Sequence, residues 1–200
     1  MAQWAPVGAA WGDIMAVPPE SGTPMGAAVC NERVRGQLSF TMQALDGDDD
    51  GREPVRRRRA VTETRAILRQ ASQAWSPYSC PGTAECCQLS KTGRPPWLWP
   101  SEWALLLERL VKEKRTLPPV RADGGCPFLD AAGRRCTVYE DRPFGCRTFF
   151  CHRIIGPSKQ PAESTNTLLE RLAGANIAWR SDATPRSLPD WHHLAVSAGV

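Results

Sequence analysis

The sequence predicts a small, irregular, mainly α-helical domain with cysteine-bearing loops, set behind a disordered N-terminal leader. Three observations predict it. Seven of the eight cysteines lie between Cys80 and Cys151, in a stretch crowded with glycine and proline turns. Helical apolar stripes recur on either side of the first turns and after the last cysteine. The first 55 or so residues show no sustained period at all and end in the acidic patch Asp46-Gly47-Asp48-Asp49-Asp50.

The leader comes first. Rich in Ala, Gly and Pro, it lacks the apolar surface needed to offset its ordering entropy, so residues 1–57 are expected to be disordered. Met15, Met25 and Met42 each offer an alternative start. The domain is then expected over 58–180, with a loose tail over 181–200.

Within the domain, Val61, Ile67, Leu68, Ala71 and Trp75 fall near one helical face, predicting a helix over 61–75 that Pro77 ends. Arg56 to Arg59 precede it and read as a solvated helix entrance. A second helix over 101–115 carries the stripe Trp103, Leu106, Leu107, Leu110 and Val111, with Ser101 as its expected N-cap. Glu102 in its first turn and Lys112, Lys114 and Arg115 in its last suit the helix dipole. A third is expected over 163–173, with Leu168, Leu169 and Leu172 inward and Gly174 as its stop.

Composition removes several function classes. At 200 residues, 42% hydrophobic and 23% charged, the chain suits one soluble domain with tails, or two very small ones. No apolar run approaches the roughly 20 residues of a membrane span. The N-terminus lacks a basic region and carries Asp13, so export is not expected and a cytoplasmic location is. A net charge of +4 is too small and scattered to mark a nucleic-acid binder. No Ser-His-Asp order, phosphate loop, His-Glu-x-x-His or paired-carboxylate pattern is present, so no catalytic residue is assigned.

The cysteines carry the chemistry. They read Cys80-Pro-Gly-Thr-Ala-Glu-Cys86-Cys87, then Cys126-Pro-Phe-Leu, Cys136-Thr-Val-Tyr, Arg-Pro-Phe-Gly-Cys146-Arg and Phe-Phe-Cys151-His152. Thiolates are soft donors suited to zinc and iron–sulfur centres. Four such ligands can supply much of the folding free energy of a turn-rich segment. The expected domain is therefore organised around a metal site. No Cys-x2-Cys pair occurs, so the spacing matches neither an ordinary zinc finger nor a bacterial ferredoxin. Cys30 stands apart and reads as an incidental thiol, and His192-His193 as an exposed, inert pair.

These motifs resemble the YkgJ-type cysteine-cluster proteins, the zinc- or iron-chelating domain family. That pattern begins Cys-x2-Cys-x2-Cys-Cys and ends Cys-x-x-Tyr-x-x-Arg-Pro-x-x-Cys-Arg-x-Phe. Cys136, Tyr139, Arg142, Pro143, Cys146, Arg147 and Phe149 stand at its matching positions, while Thr83 stands where its second cysteine would. The resemblance implies metal binding by Cys80, Cys86, Cys87, Cys126, Cys136, Cys146 and Cys151; with Thr83 at the second position, either the site has one ligand fewer or Glu85, Cys151 or His152 takes over. The cofactor is then zinc or iron, an iron–sulfur cluster included.

Metal-bound thiolates leave negative charge that needs partners. Of the nearby Arg134, Arg135, Arg142, Arg147 and Arg153, Arg142 and Arg147 are expected to donate to sulfur or to carbonyls, with Tyr139 and Phe149 packing over the site. Pro143 biases Arg142 toward an extended backbone. Phe128 and Leu129 read as core beneath Cys126, and Trp97, Trp99 and Trp103 as core or a lid.

The leading reading is a metal-binding protein in a structural, sensing or storage role. Two others stand beside it: a metal-dependent protein-modifying enzyme resembling the flagellin lysine N-methylases, and a zinc-stabilised basic adaptor acting through Arg56–Arg59. A metal ion is the expected partner and a protein partner stays open, whereas nucleic acid is disfavoured and membrane excluded.

Overall fold

The computed structural model describes residues 52–79, 83–148 and 155–199. They belong to a unit spanning Asn31–Val200, while a separate unit, Met1–Cys30, falls wholly outside the described residues. The expected disorder of residues 1–51, Cys30 and the acidic patch therefore lie outside them too.

Six helices are present among the described residues: α1 (Glu53–Ala74), α2 (Leu89–Thr92), α3 (Pro100–Lys112), α4 (Phe144–Thr148), α5 (Ala162–Trp179) and α6 (Leu188–Ser197). The chain is mainly helical, as expected. A two-stranded antiparallel ladder joins β1 (Trp97–Leu98) to β2 (Arg186–Ser187). No helix among the described residues is long and apolar enough to cross a membrane.

α1 and α5 pack antiparallel. At one end, the Trp179 indole N–H donates to the Glu53 carboxylate. At the other, the Trp75 indole N–H donates to Thr165 Oγ1 at 3.0 Å. Ile67, Leu68 and Ala71 of α1, Leu168 and Leu172 of α5 and Phe144 of α4 form one apolar core. A second core surrounds α3, where Trp103, Leu106, Leu107 and Leu110 meet Phe128, Leu129, Leu188 and Trp191.

Between α1, α3 and α5 runs a buried polar link. Thr64 Oγ1 lies 2.7 Å from Ser101 Oγ, the Ser101 amide donates to Asn176 Oδ1 at 3.0 Å, and Asn176 Nδ2 donates to the Leu172 carbonyl at 2.9 Å. All three side chains are fully buried. Each polar group therefore needs the partner it has, because an unpaired one would lose its hydration without replacement.

Several expectations need correction. Residues 53–57, assigned to the leader, are helical: Pro54 occupies a position where its missing N–H is no loss, and Arg56–Arg59 lie inside α1. At about 100° per residue those four side chains spread around the helix instead of forming one basic face. Ser101 is not the N-cap of α3; Trp99 holds that position, and Ser101 is buried in the first turn. Gly174 does not stop α5, which continues to Trp179, since burying Asn176 and Trp179 outweighs the roughly 1 kcal/mol disadvantage of a helical glycine.

Nor is the 181–200 segment loose. It supplies β2 and α6, with Ser187 Oγ accepting the Asp190 amide as N-cap and Leu188, Trp191 and Ala195 in the core. His192 is correspondingly buried rather than exposed, its Nε2 hydrogen-bonded to the Pro118 carbonyl at 2.6 Å; His193 stays exposed.

Candidate metal centre

Cys86 and Cys87 lie on a 3₁₀ turn, Glu85–Cys87, that Ala84 introduces with a left-handed φ of 52°. Such a backbone is unfavourable by roughly 1–2 kcal/mol for a residue with a Cβ, so the surrounding packing holds it in place. The two sulfurs stand 3.9 Å apart.

Cys126 is brought to this turn by backbone. Its amide donates to the Cys87 carbonyl at 2.8 Å. The loop before it lies against α2, where the Ser90 amide donates to the Gly124 carbonyl at 3.1 Å. Gly124 has a φ of +66°, and a Cβ there would stand 2.8 Å from Ser90 Cβ, so only glycine lets the loop approach this closely.

The next stretch folds back so that Leu129 bridges Cys136. Asp130 Oδ1 closes it by accepting the Arg134 and Arg135 amides at 2.7 and 3.3 Å. Arg121 braces the same loop, paired with Asp123 and donating to the Asp130 carbonyl at 2.8 Å. Phe128 and Leu129 are buried in the core, as expected.

Cys146 sits on α4 after Arg142-Pro143, where Arg142 takes the extended conformation (φ −55°, ψ 139°) that a following proline favours. The Arg142 guanidinium lies 3.6 Å over the Tyr139 ring, and its Nε donates to the Tyr139 carbonyl at 2.9 Å. Tyr139 is 48% exposed and packs on this cation, not in the core. Arg147 donates to the carbonyls of Arg142 (2.5 Å) and Glu140 and to Ser72 Oγ (2.5 Å).

Five thiols from four stretches of chain are described, and charge on Cys86, Cys126 or Cys136 is felt at Cys146. Cys126 is buried and the other four half-buried, all as free thiols. Burial pushes the Cys126 thiol up to about 12 and raises Cys136, and Cys146 lies well above its ordinary value for the same reason. Negative charge on Cys86, Cys126 or Cys136 raises Cys146 further, while Arg142 acts against the rise at Cys136 and Cys146. The Cys86–Cys87 contact lowers Cys86 and raises Cys87, as expected where one thiol donates to the other's thiolate.

These donors fit a soft cation. A cation is what makes several adjacent buried thiolates tolerable, because it takes the place of their protons. Two sulfurs bound to one tetrahedral ion at about 2.3 Å would stand about 3.8 Å apart, close to the Cys86–Cys87 separation. Among the described residues, no three Cys, His, Asp or Glu side chains stand ready in ligating geometry.

The expected ligands Cys80, Cys151 and His152, and with them Arg153 and Phe149, lie outside the described residues. Their described flanks meet, since Ser79 and Ile155 exchange backbone hydrogen bonds at 2.8 and 3.1 Å. Glu85 is half-buried beside Cys86, whose thiol its charge raises. Thr83 is exposed.

Residues 79–169 match the CxxCxxCC family model, described as "Putative zinc- or iron-chelating domain". Over that span the chain is similar to the CxxCxxCC family. No curated protein and no solved structure matches it. The matched span contains every clustered cysteine and excludes Cys30. Within the matched span, Thr83 stands where the second cysteine of the family's name would.

Two residues that the sequence did not single out matter to the site's frame. Arg121 braces the Cys126–Cys136 loop. Glu102, expected only as a dipole partner, is 2% exposed; its Oε2 accepts the Trp99 amide at 2.8 Å and its Oε1 the Phe144 amide at 2.6 Å. Its place three residues after the N-cap was the available signal, but Trp99 conceals the usual capping-box pattern.

Proposed function

We propose that the chain binds zinc or iron through its clustered cysteines, as a structural, sensing or storage centre. Cys86, Cys87, Cys126, Cys136 and Cys146 would hold it together with Cys80 and Cys151, with Glu85 or His152 filling the place that Thr83 leaves. The observation that supports this reading is the Cys86–Cys87 pair, its sulfurs 3.9 Å apart, with the Cys126 amide bonded to the Cys87 carbonyl at 2.8 Å. A bound ion or cluster would neutralise the thiolates and cross-link loops whose own core is small. Arg142 supplies positive charge beside the sulfurs, and Arg147 ties the Cys146 helix to its neighbours.

Elemental analysis and an optical spectrum of anaerobically purified protein test this. Bound zinc in colourless protein, or iron with sulfide-to-iron charge-transfer bands, is the expected result. Protein that holds no transition metal as isolated and takes up neither zinc nor ferrous iron would refute it.

A further inference from the structure

Helix α4 is only five residues long, well below the length at which a helix sustains itself in water. It nevertheless carries Cys146, so something outside it must set the direction of that thiol. At its end, Arg147 reaches Ser72, Glu140 and Arg142. At its start, the Phe144 amide follows Pro143, which has no N–H, and is taken by Glu102 Oε1.

The other oxygen of the same carboxylate holds the Trp99 amide at the start of α3. α3 is firmly anchored, with Trp103, Leu106, Leu107 and Leu110 all buried. Glu102 therefore joins a rigid element to the short one, two residues before a cysteine. A carboxylate offers two acceptors for two amides. Glutamine would offer one acceptor and place an N–H against an N–H.

We propose that Glu102 is a positioning residue for the metal centre, fixing Cys146 through the start of α4. This rests on the thiolate centre proposed above. Groups that hold metal ligands in orientation typically change affinity by about 10–100-fold when removed.

The test compares wild type, Glu102→Gln, Glu102→Asp and Thr64→Val as metal-free protein. Zinc affinity is measured above about pH 7, where the Glu102 carboxyl is ionised, by competition with a chromophoric chelator, and the cobalt-substituted forms are recorded optically at the same pH. Thr64→Val disturbs the neighbouring residue Ser101 without touching α4. It should keep wild-type affinity and spectrum. Glu102→Gln should retain its helical circular dichroism, bind zinc about 10–100-fold more weakly and shift the cobalt–thiolate bands.

Unchanged affinity and spectrum in Glu102→Gln would overturn the positioning role while leaving the centre intact. So would equal weakening in Thr64→Val, which would mark the effect as general destabilisation. If Glu102→Gln does not fold, Glu102→Asp, which keeps both acceptors on a shorter stem, is read against the same two outcomes. Wild type that takes up none of zinc, cobalt or ferrous iron would overturn the centre itself.

Discussion

Trp103 and Trp191 stack with ring centroids 6.0 Å apart and 14° between their planes, joining α3 to the last helix of the chain. The Trp191 indole N–H also donates to the Leu98 carbonyl at 2.9 Å, so the C-terminal helix is built into the core that holds Cys126. Trp191→Ala should therefore destabilise the domain by about 3–5 kcal/mol, the range for a buried large aromatic. Urea unfolding checks this, and a loss below about 1 kcal/mol would contradict the packing described.

Thr64 and Ser101 should behave as a coupled pair. Thr64→Val leaves the Ser101 hydroxyl buried without its partner, and Ser101→Ala does the converse; each should cost about 1–3 kcal/mol. The double variant removes both hydroxyls together, so its loss should fall short of the sum by about 0.5–3 kcal/mol. Additive losses in a double-mutant cycle would show that the contact is not a buried hydrogen bond.

What was legible in the sequence follows from periodicity. The stripe Trp103-Leu106-Leu107-Leu110 identified α3 because its apolar spacing matches the helical repeat. Helix ends were less legible because burial and propensity, not period, decide them. α1 extends through four arginines that are good helix formers but belong to no apolar stripe. Pro189 lies in the stretch expected to be a loose tail, yet it sits in the first turn of α6, where proline is tolerated. Nothing in the local sequence marked His192 as buried, since its partner is a carbonyl 74 residues away. The cysteine-bearing stretches were legible as motifs. Their meeting was not, because it depends on the Cys87–Cys126 backbone contact and on Glu102.

Glu102 gives stability a specific pH dependence. Burial raises its carboxyl from the ordinary 4.5 to about 7 even though it accepts two amides and feels Arg147. Between those values the folded chain holds a proton that the unfolded chain has released, so this contribution is complete below pH 4.5 and is lost as pH rises through 7. The loss is on the order of 3 kcal/mol. Thermal melts of wild type minus Glu102→Gln, whose amide does not titrate, should show this fall between pH 5 and 8; parallel curves would contradict it.

Cys146→Ser should lower bound metal and stability together, because a serine hydroxyl is a poor donor to a soft ion. Cys30→Ser should change neither, since Cys30 lies outside the matched domain. Metal content and melting temperature, measured before and after a chelator, separate the two. Equal metal content in both variants and wild type would remove Cys146 from the ligand set.

Thr83→Cys is the converse experiment. Thr83 is exposed and lies immediately before Ala84, whose left-handed backbone turns the chain into the Cys86–Cys87 turn. A thiol there adds a donor three residues before Cys86 and needs no buried volume, so the variant should fold as wild type does without metal. With metal it should bind more tightly, and each tenfold gain in affinity should add about 1.4 kcal/mol to the stability of the saturated protein. Competition against a chelator and melts with and without zinc measure the two effects separately. A variant whose affinity and metal-bound stability both equal those of wild type would show that position 83 lies out of reach of the ion. Glu85 and His152 would then lose their standing as replacements for a missing ligand, because no ligand would be missing.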